Sequence, residues 1–185
     1  MSRRATLAAI AAVAAAVGFG AAPAVAAPGP TATTGITFQI TAGGLTITAG
    51  GLTITAPGSV SLPNGVSGGT INGDIGPVQV IDQRGLLVAA WTATVSSTDY
   101  TTGGGTAAET IPNSAAIYTP GLPTATTGVP VPVAGLPGTL ASPRTAYTAT
   151  AVGSNSVTWN PNLSIAIPAA AVVGTYTGTV THSVA

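Results

Sequence analysis

The stretch TYTGTVTHSV, residues 175–184, alternates without a break. Tyr176, Gly178, Val180, His182 and Val184 fall on one side, with four threonines and Ser183 on the other. Period two is the signature of a β-strand with one covered face. LLVAAWTATV aligns Leu87, Ala89, Trp91, Ala93 and Val95 in the same way, and LSIAI aligns Leu163, Ile165 and Ile167. Thr, Val, Ile and Tyr suit a pleated, half-buried surface. Gly, Pro and Thr punctuate the chain, and beyond its first residues no stretch sustains a helical period. The pattern predicts an all-β protein, an antiparallel β-sandwich of immunoglobulin-like type forming a single domain.

Working towards the N-terminus, ITAGGLTITAGGLTITAPG repeats seven residues and begins a third copy. With Gly43-Gly44 and Gly50-Gly51 as two-residue hairpin turns, Ile40 faces Ile47 and Ile47 faces Ile54. Thr41 then faces Thr46, and Thr48 faces Thr53. A three-residue Ala-Gly-Gly loop would set Ile47 opposite Thr53 and mix the faces. The spacing predicts a three-strand meander; the competing arrangement keeps one copy in the sheet and leaves the other as loop. Two copies and a fragment fall short of a solenoid. The stretch 112–143 has prolines at 112, 120, 123, 130, 132, 137 and 143. It is expected to be a long loop, edge or polyproline-like connection.

The first 26 residues have the layout of a secretory signal: Arg3 and Arg4, an alanine-rich apolar run from Leu7 to Phe19, and an Ala24-Val25-Ala26 cleavage site. Ser2-Arg3-Arg4 also has a faint twin-arginine character. The run is shorter than the ~20 residues of a membrane span, so no span is expected in the mature chain. The expected organisation is a cleaved signal at 1–26, a short linker at 27–35 and a β-domain at 36–185. Past the signal only Arg84 and Arg144 are cationic, against Asp74, Asp82, Asp99 and Glu109, with no lysine. Two arginines make no phosphate-binding patch, which excludes nucleic acid, and no polybasic lipid anchor. The absence of cysteine removes disulfides, thiolate metal sites and thiol nucleophiles. The core must hold the fold alone, and about 159 residues suffice for that.

Chemistry-bearing constellations are sparse. His182, the only histidine, is expected to pack on its strand's apolar face. Asp99 and Glu109 flank a glycine-rich loop and are the one pair that a glycosidase-like mechanism would recruit. Asp74 and Asp82 lack EF-hand spacing, and a local Asp82–Arg84 pair is expected instead. Gly103 to Gly105 has no phosphate-loop context, and there is no G-x-S-x-G elbow. Leu136-Pro137-Gly138-Thr139 opens like a sortase motif, but Leu140 stands in place of its glycine. Neither enzyme activity, a metal nor a cofactor is expected.

Three segments together resemble WxL-type surface proteins of Gram-positive bacteria, in their actinobacterial form. They are VIDQRGLLVAAWTATVSSTDYTTGGG (80–105), IPNSAAIYTPG (111–121) and WNPNLSIAIPAAAVVGTYTGTVTHSVA (159–185). The resemblance runs from Ile36 to the C-terminus. It implies a secreted, extracellular β-sandwich held non-covalently at the cell wall through peptidoglycan or another wall polymer. The first W-x-L position reads Trp91-Thr92-Ala93 and the second His182-Ser183-Val184. Trp91 thus keeps the first tryptophan, while His182 and Val184 mark a degenerate second motif. An exposed ring beside hydrogen-bonding groups suits sugar, so Trp91, Trp159, Tyr100, Tyr118 and Tyr147 are candidate wall contacts. Trp159, beside Asn160, Pro161 and Asn162, looks most like a loop aromatic. The alternative is a structural protein that pairs with other surface proteins through Thr-rich strand edges.

Overall fold

The computed structural model describes residues 51–185 in full and residues 31–37 and 44–49 as backbone. The stretch 1–26 read as a signal and the first hairpin turn, with Ile40 and Thr41, lie outside the described residues. The strands are β1 (Thr31–Thr37), β2 (Gly44–Ala49), β3 (Leu52–Pro57), β4 (Ser59–Val60), β5 (Thr70–Asp74) and β6 (Val78–Asp82). They continue with β7 (Ala89–Ser97), β8 (Tyr100–Thr101), β9 (Thr110–Ile111), β10 (Ala116–Thr119), β11 (Pro123–Thr127) and β12 (Val131–Ala134). The last five are β13 (Gly138–Thr139), β14 (Arg144–Ala151), β15 (Asn155–Trp159), β16 (Asn162–Ala166) and β17 (Thr177–Val184).

They form an antiparallel β-sandwich. One layer is a large sheet in the order β12-β14-β7-β17-β1-β4, with β8 attached to β17 and β9 to β8. Facing it are a five-stranded sheet, β11-β15-β6-β3-β2, and a four-stranded sheet, β13-β10-β16-β5. The one parallel pairing among the described strands is between β1 and β4. A single apolar core fills the space between the layers, built from Ile54, Val80, Val95, Leu163, Ile165 and Val180 with the large aromatics.

The alternation in 175–184 becomes β17, whose Val180, His182 and Val184 point inward. Gly178 shares that inward face for a steric reason. A Cβ there would lie 2.5 Å from Cδ1 of the Tyr100 ring, closer than packed carbons tolerate. The second hairpin of the repeat forms in the expected register. Ile47 is opposite Ile54, and Thr48 is opposite Thr53. The turn glycine Gly51 takes φ +78°, a conformation open to glycine at no steric cost. In β3 the buried residues are Leu52, Ile54 and Ala56, one face of a period-two strand.

Three expectations are corrected. The stretch read as linker contributes Thr31–Thr37 as β1, paired along its whole length with β17. Leu87 does not join the buried face of β7, which begins at Ala89; it stands exposed in the preceding loop. The proline-rich stretch is not one long loop, because β10, β11, β12 and β13 all lie within it. Of these, β11, β12 and β13 are each the outermost strand of a different sheet. Proline has no N–H to give a second neighbour, so its place in a sheet is an edge, and Pro123 and Pro132 occupy such places.

Candidate functional site

The aromatic candidates converge inside the sandwich. Trp91 projects from β7 and its Nε1–H donates to Asn155 Oδ1 on β15, 3.1 Å away. Tyr147 on β14 packs on Trp159 of β15 with ring centroids 4.6 Å apart. The Tyr147 hydroxyl donates to Gly121 O at 2.6 Å. Trp159 Nε1–H in turn donates to the Tyr118 hydroxyl on β10 at 3.1 Å, and that oxygen is 3.1 Å from His182 Nε2 on β17. One run of polar contacts, Trp159–Tyr118–His182, therefore joins all three sheets. Tyr100 is buried beside it and accepts a hydrogen bond from Ser97 Oγ at 2.9 Å.

All five candidate rings are buried. Trp159 is the sharpest correction, since it ends β15 rather than sitting on a loop. In sequence its polar neighbours suggest solvent, but its ring is covered by Tyr118 and Tyr147, whose proximity only the folded chain reveals. The two W-x-L-like segments are adjacent: Val184 is opposite Ala93, Ser183 is opposite Thr94, and Thr92 and Ala185 exchange backbone hydrogen bonds. Trp91, His182 and Val184 all face the core from these neighbouring strands.

Among the described residues His182 has no charged partner. Burial alone brings its imidazole down to about 3, because a cation without compensation is expensive in a core. Its Nδ1 has no hydrogen-bond partner. The Tyr118 oxygen accepts from Trp159 and shares one hydrogen with Nε2 of His182. Desolvation likewise raises the Tyr118 hydroxyl well above the usual phenol range.

Each acid is committed to local structure. Asp82, fully buried at the end of β6, accepts from the Arg84 amide and from Arg84 Nε and Nη2 at 2.8–3.0 Å. These bonds hold its carboxyl below the ordinary aspartate range. Arg84 Nη2 also donates to Ala90 O at 2.8 Å. Asp74 accepts from the amides of Asn160 and Asn162 and stands at the other end of β6 from Asp82. Asp99 Oδ1 accepts the Asn113 N–H at 2.8 Å. Glu109 Oε2 accepts from the Thr106 amide and hydroxyl at 3.0 and 2.8 Å, which holds its carboxyl low. Among the described residues no three His, Asp or Glu side chains gather as a metal cluster would.

The Asp82–Arg84 pair gives a test. Arg84→Ala should cost about 3 kcal/mol, since it strands a buried carboxylate. Asp82→Ala combined with Arg84→Ala should recover part of that loss. Urea unfolding of the single and double variants checks it; equal losses would show that the pairing is not what stabilises this loop.

A cleft of about 390 Å3 opens between the loop at 64–67 and the segment at 167–176. Ile71, Ile111, Ile167 and Tyr176 line it. Ser67 Oγ ties one wall to the other by donating to Ala171 O at 2.7 Å. Its lining holds no acid, base or cation, and its chemistry is that of an apolar contact surface.

No protein-family model, no curated protein and no solved structure matches the chain. Among the described residues no helix is long and apolar enough to cross a membrane.

Proposed function

We propose that this chain is an exported, non-catalytic cell-surface protein that associates non-covalently with the cell wall, as the WxL-like layout of its sequence suggests. One observation carries the reading: the fold spends its aromatic and acidic side chains on its own interior and turns, and the outer face of its large sheet carries a row of hydroxyls. Thr92, Thr94, Ser96, Thr148, Thr181 and Ser183 lie on the outer side of β7, β14 and β17, opposite their buried neighbours. Hydroxyls and main-chain edges suit hydrogen bonding to a glycan or its peptide stems. The wall contacts are accordingly assigned to this face and not to Trp91, Trp159, Tyr100 or Tyr118.

A second reading, assembly with other surface proteins, is favoured by β11. This edge strand is exposed along its whole length, and an unpaired edge is a template for another chain.

Binding of residues 27–185 to isolated Gram-positive cell walls, before and after the walls are stripped of protein, tests both. Saturable binding to bare walls that tolerates salt is expected and supports direct recognition of wall polymer. Binding that vanishes when the walls are stripped would move the function to assembly, and no binding to either would sink both readings.

A further inference from the structure

Among the described strands, β11 and β2 are the outermost of the five-stranded sheet, and the two edges differ in character. β11 begins at Pro123 and shifts register between Pro123 and Ala125. Proline and bulges are the devices that blunt an edge against pairing. β2 carries neither. Gly44–Ala49 contains no proline and no charge, and it runs in unbroken register along β3.

β2 is also a copy of its own partner. Gly-Leu-Thr-Ile-Thr-Ala stands at 44–49 and again at 51–56. The pairing of β2 with β3 is therefore one sequence paired antiparallel with itself. Ile47 is opposite Ile54, Thr46 opposite Thr55, Thr48 opposite Thr53, and Leu45 opposite Ala56. That pattern is symmetric about its isoleucine. A second β2 laid antiparallel along the outer edge of the first repeats each kind of pair: Ile47 opposite Ile47, Thr46 opposite Thr48, and Leu45 opposite Ala49. The backbone agrees with this. Alternate residues of an antiparallel strand turn their N–H and C=O to opposite sides. The two-residue turn makes Ala49 and Leu52 its closing hydrogen-bonded pair. Leu45, Ile47 and Ala49 thus bond to β3, while Thr46 and Thr48 turn their main-chain groups to the outer edge. Those two residues are the ones that a second β2 sets opposite each other.

We infer that two copies of this chain associate edge to edge through β2, about a two-fold axis at Ile47, joining their five-stranded sheets into one continuous sheet. The occupant follows from the molecule itself, because the β2–β3 ladder is the same contact made within one chain. An isologous pairing of this kind closes as a dimer. Ile47 meets its own copy on the sheet face that it shares with the core residue Ile54, and the threonine pairs lie on the other face, so matched residues meet on both sides. The contact is one strand wide, which makes the dimer weak and dependent on concentration.

Sedimentation velocity of the purified protein across a range of concentrations tests this. A monomer–dimer equilibrium is expected. Thr46→Lys with Thr48→Lys sets like charges opposite each other across the axis and should weaken the dimer about tenfold or more. Thr46→Glu with Thr48→Glu should do the same on its own. An equimolar mixture of the two variants should restore the dimer, since lysine then stands opposite glutamate. Unfolding midpoints measured in dilute, monomeric samples should be unchanged, because both positions share the face of Thr53 and Thr55 and not that of the core. Ala125→Lys, on the other edge of the sheet, should leave the dimer intact. A monomer at every concentration, a dimer indifferent to the charged variants, or a mixture no tighter than its components would overturn the proposal. So would loss of the dimer on Ala125→Lys, or growth beyond a dimer, which would mark head-to-tail pairing of β2 with β11. Wall binding rests on the large sheet and is untouched by any of these outcomes.

Discussion

Trp159→Ala is expected to lower the stability of the fold by about 3–5 kcal/mol, the range for removing a large aromatic from a packed core. The ring is fully buried, stacked on Tyr147 and bonded to Tyr118. Its loss opens a cavity where two facing sheets meet the four-stranded one. Trp159→Phe separates packing from polarity. It keeps much of the aromatic volume but removes the N–H that the Tyr118 oxygen accepts, so a loss nearer 1–2 kcal/mol is expected. Urea unfolding followed by circular dichroism measures both. The same variants decide what the ring is for. A structural tryptophan predicts unchanged wall binding per folded molecule, and a selective loss of binding in stable Trp159→Phe protein would return the residue to the list of wall contacts.

Acidification should weaken the fold well before the carboxylates titrate, because of His182. In the unfolded chain the imidazole takes a proton near pH 6.5, and in the folded protein only near 3. Between these values the unfolded state holds more protons, so stability rises with pH across the window. It is complete above about pH 6.5 and declines by up to about 1.4 kcal/mol per pH unit as pH falls towards 3. The hydrogen-bond geometry explains why. Protonation would put a hydrogen on both ring nitrogens, of which Nδ1 meets no acceptor among the described residues, and would leave a buried cation with no acid beside it there. His182 is the only histidine, so the slope between about pH 5.5 and 6.5, above the range where Asp82 and Glu109 contribute, is its own. His182→Phe should flatten it even though the variant is less stable at neutral pH; an undiminished slope would rule the imidazole out. Asp82 acts lower on the scale, since Arg84 holds its carboxyl below the ordinary value.

Which parts of this structure were legible in the sequence follows from the range of the forces involved. The alternation of 175–184 and the Gly-Gly spacing of the repeat are local, and they gave the β class, the hairpin register and the inward face of His182 directly. The Asp82–Arg84 pair spans two residues and was equally visible. The proline-rich strands were not, because pieces of two to five residues carry too little alternation to declare themselves. The burial of Trp159 was hidden for a different reason. Its covering residue Tyr118 lies 41 positions away, while its immediate neighbours Asn160 and Asn162 suggest solvent. Leu87 stands in an alternating run that gives no sign of Arg84 anchoring the chain outside the strand.

The distribution of the proline-rich strands bears on how the molecule assembles. Residues 123–139 place one strand on each of three sheets in succession, so no sheet is complete until this late part of the chain has been laid down. Its partners are β15, β14 and β10, of which two are made still later. Each sheet thus draws an edge strand from this stretch and its last strand from β15, β16 or β17, a non-local order that makes folding slow. A displacement of this one stretch would therefore reach an edge of all three sheets.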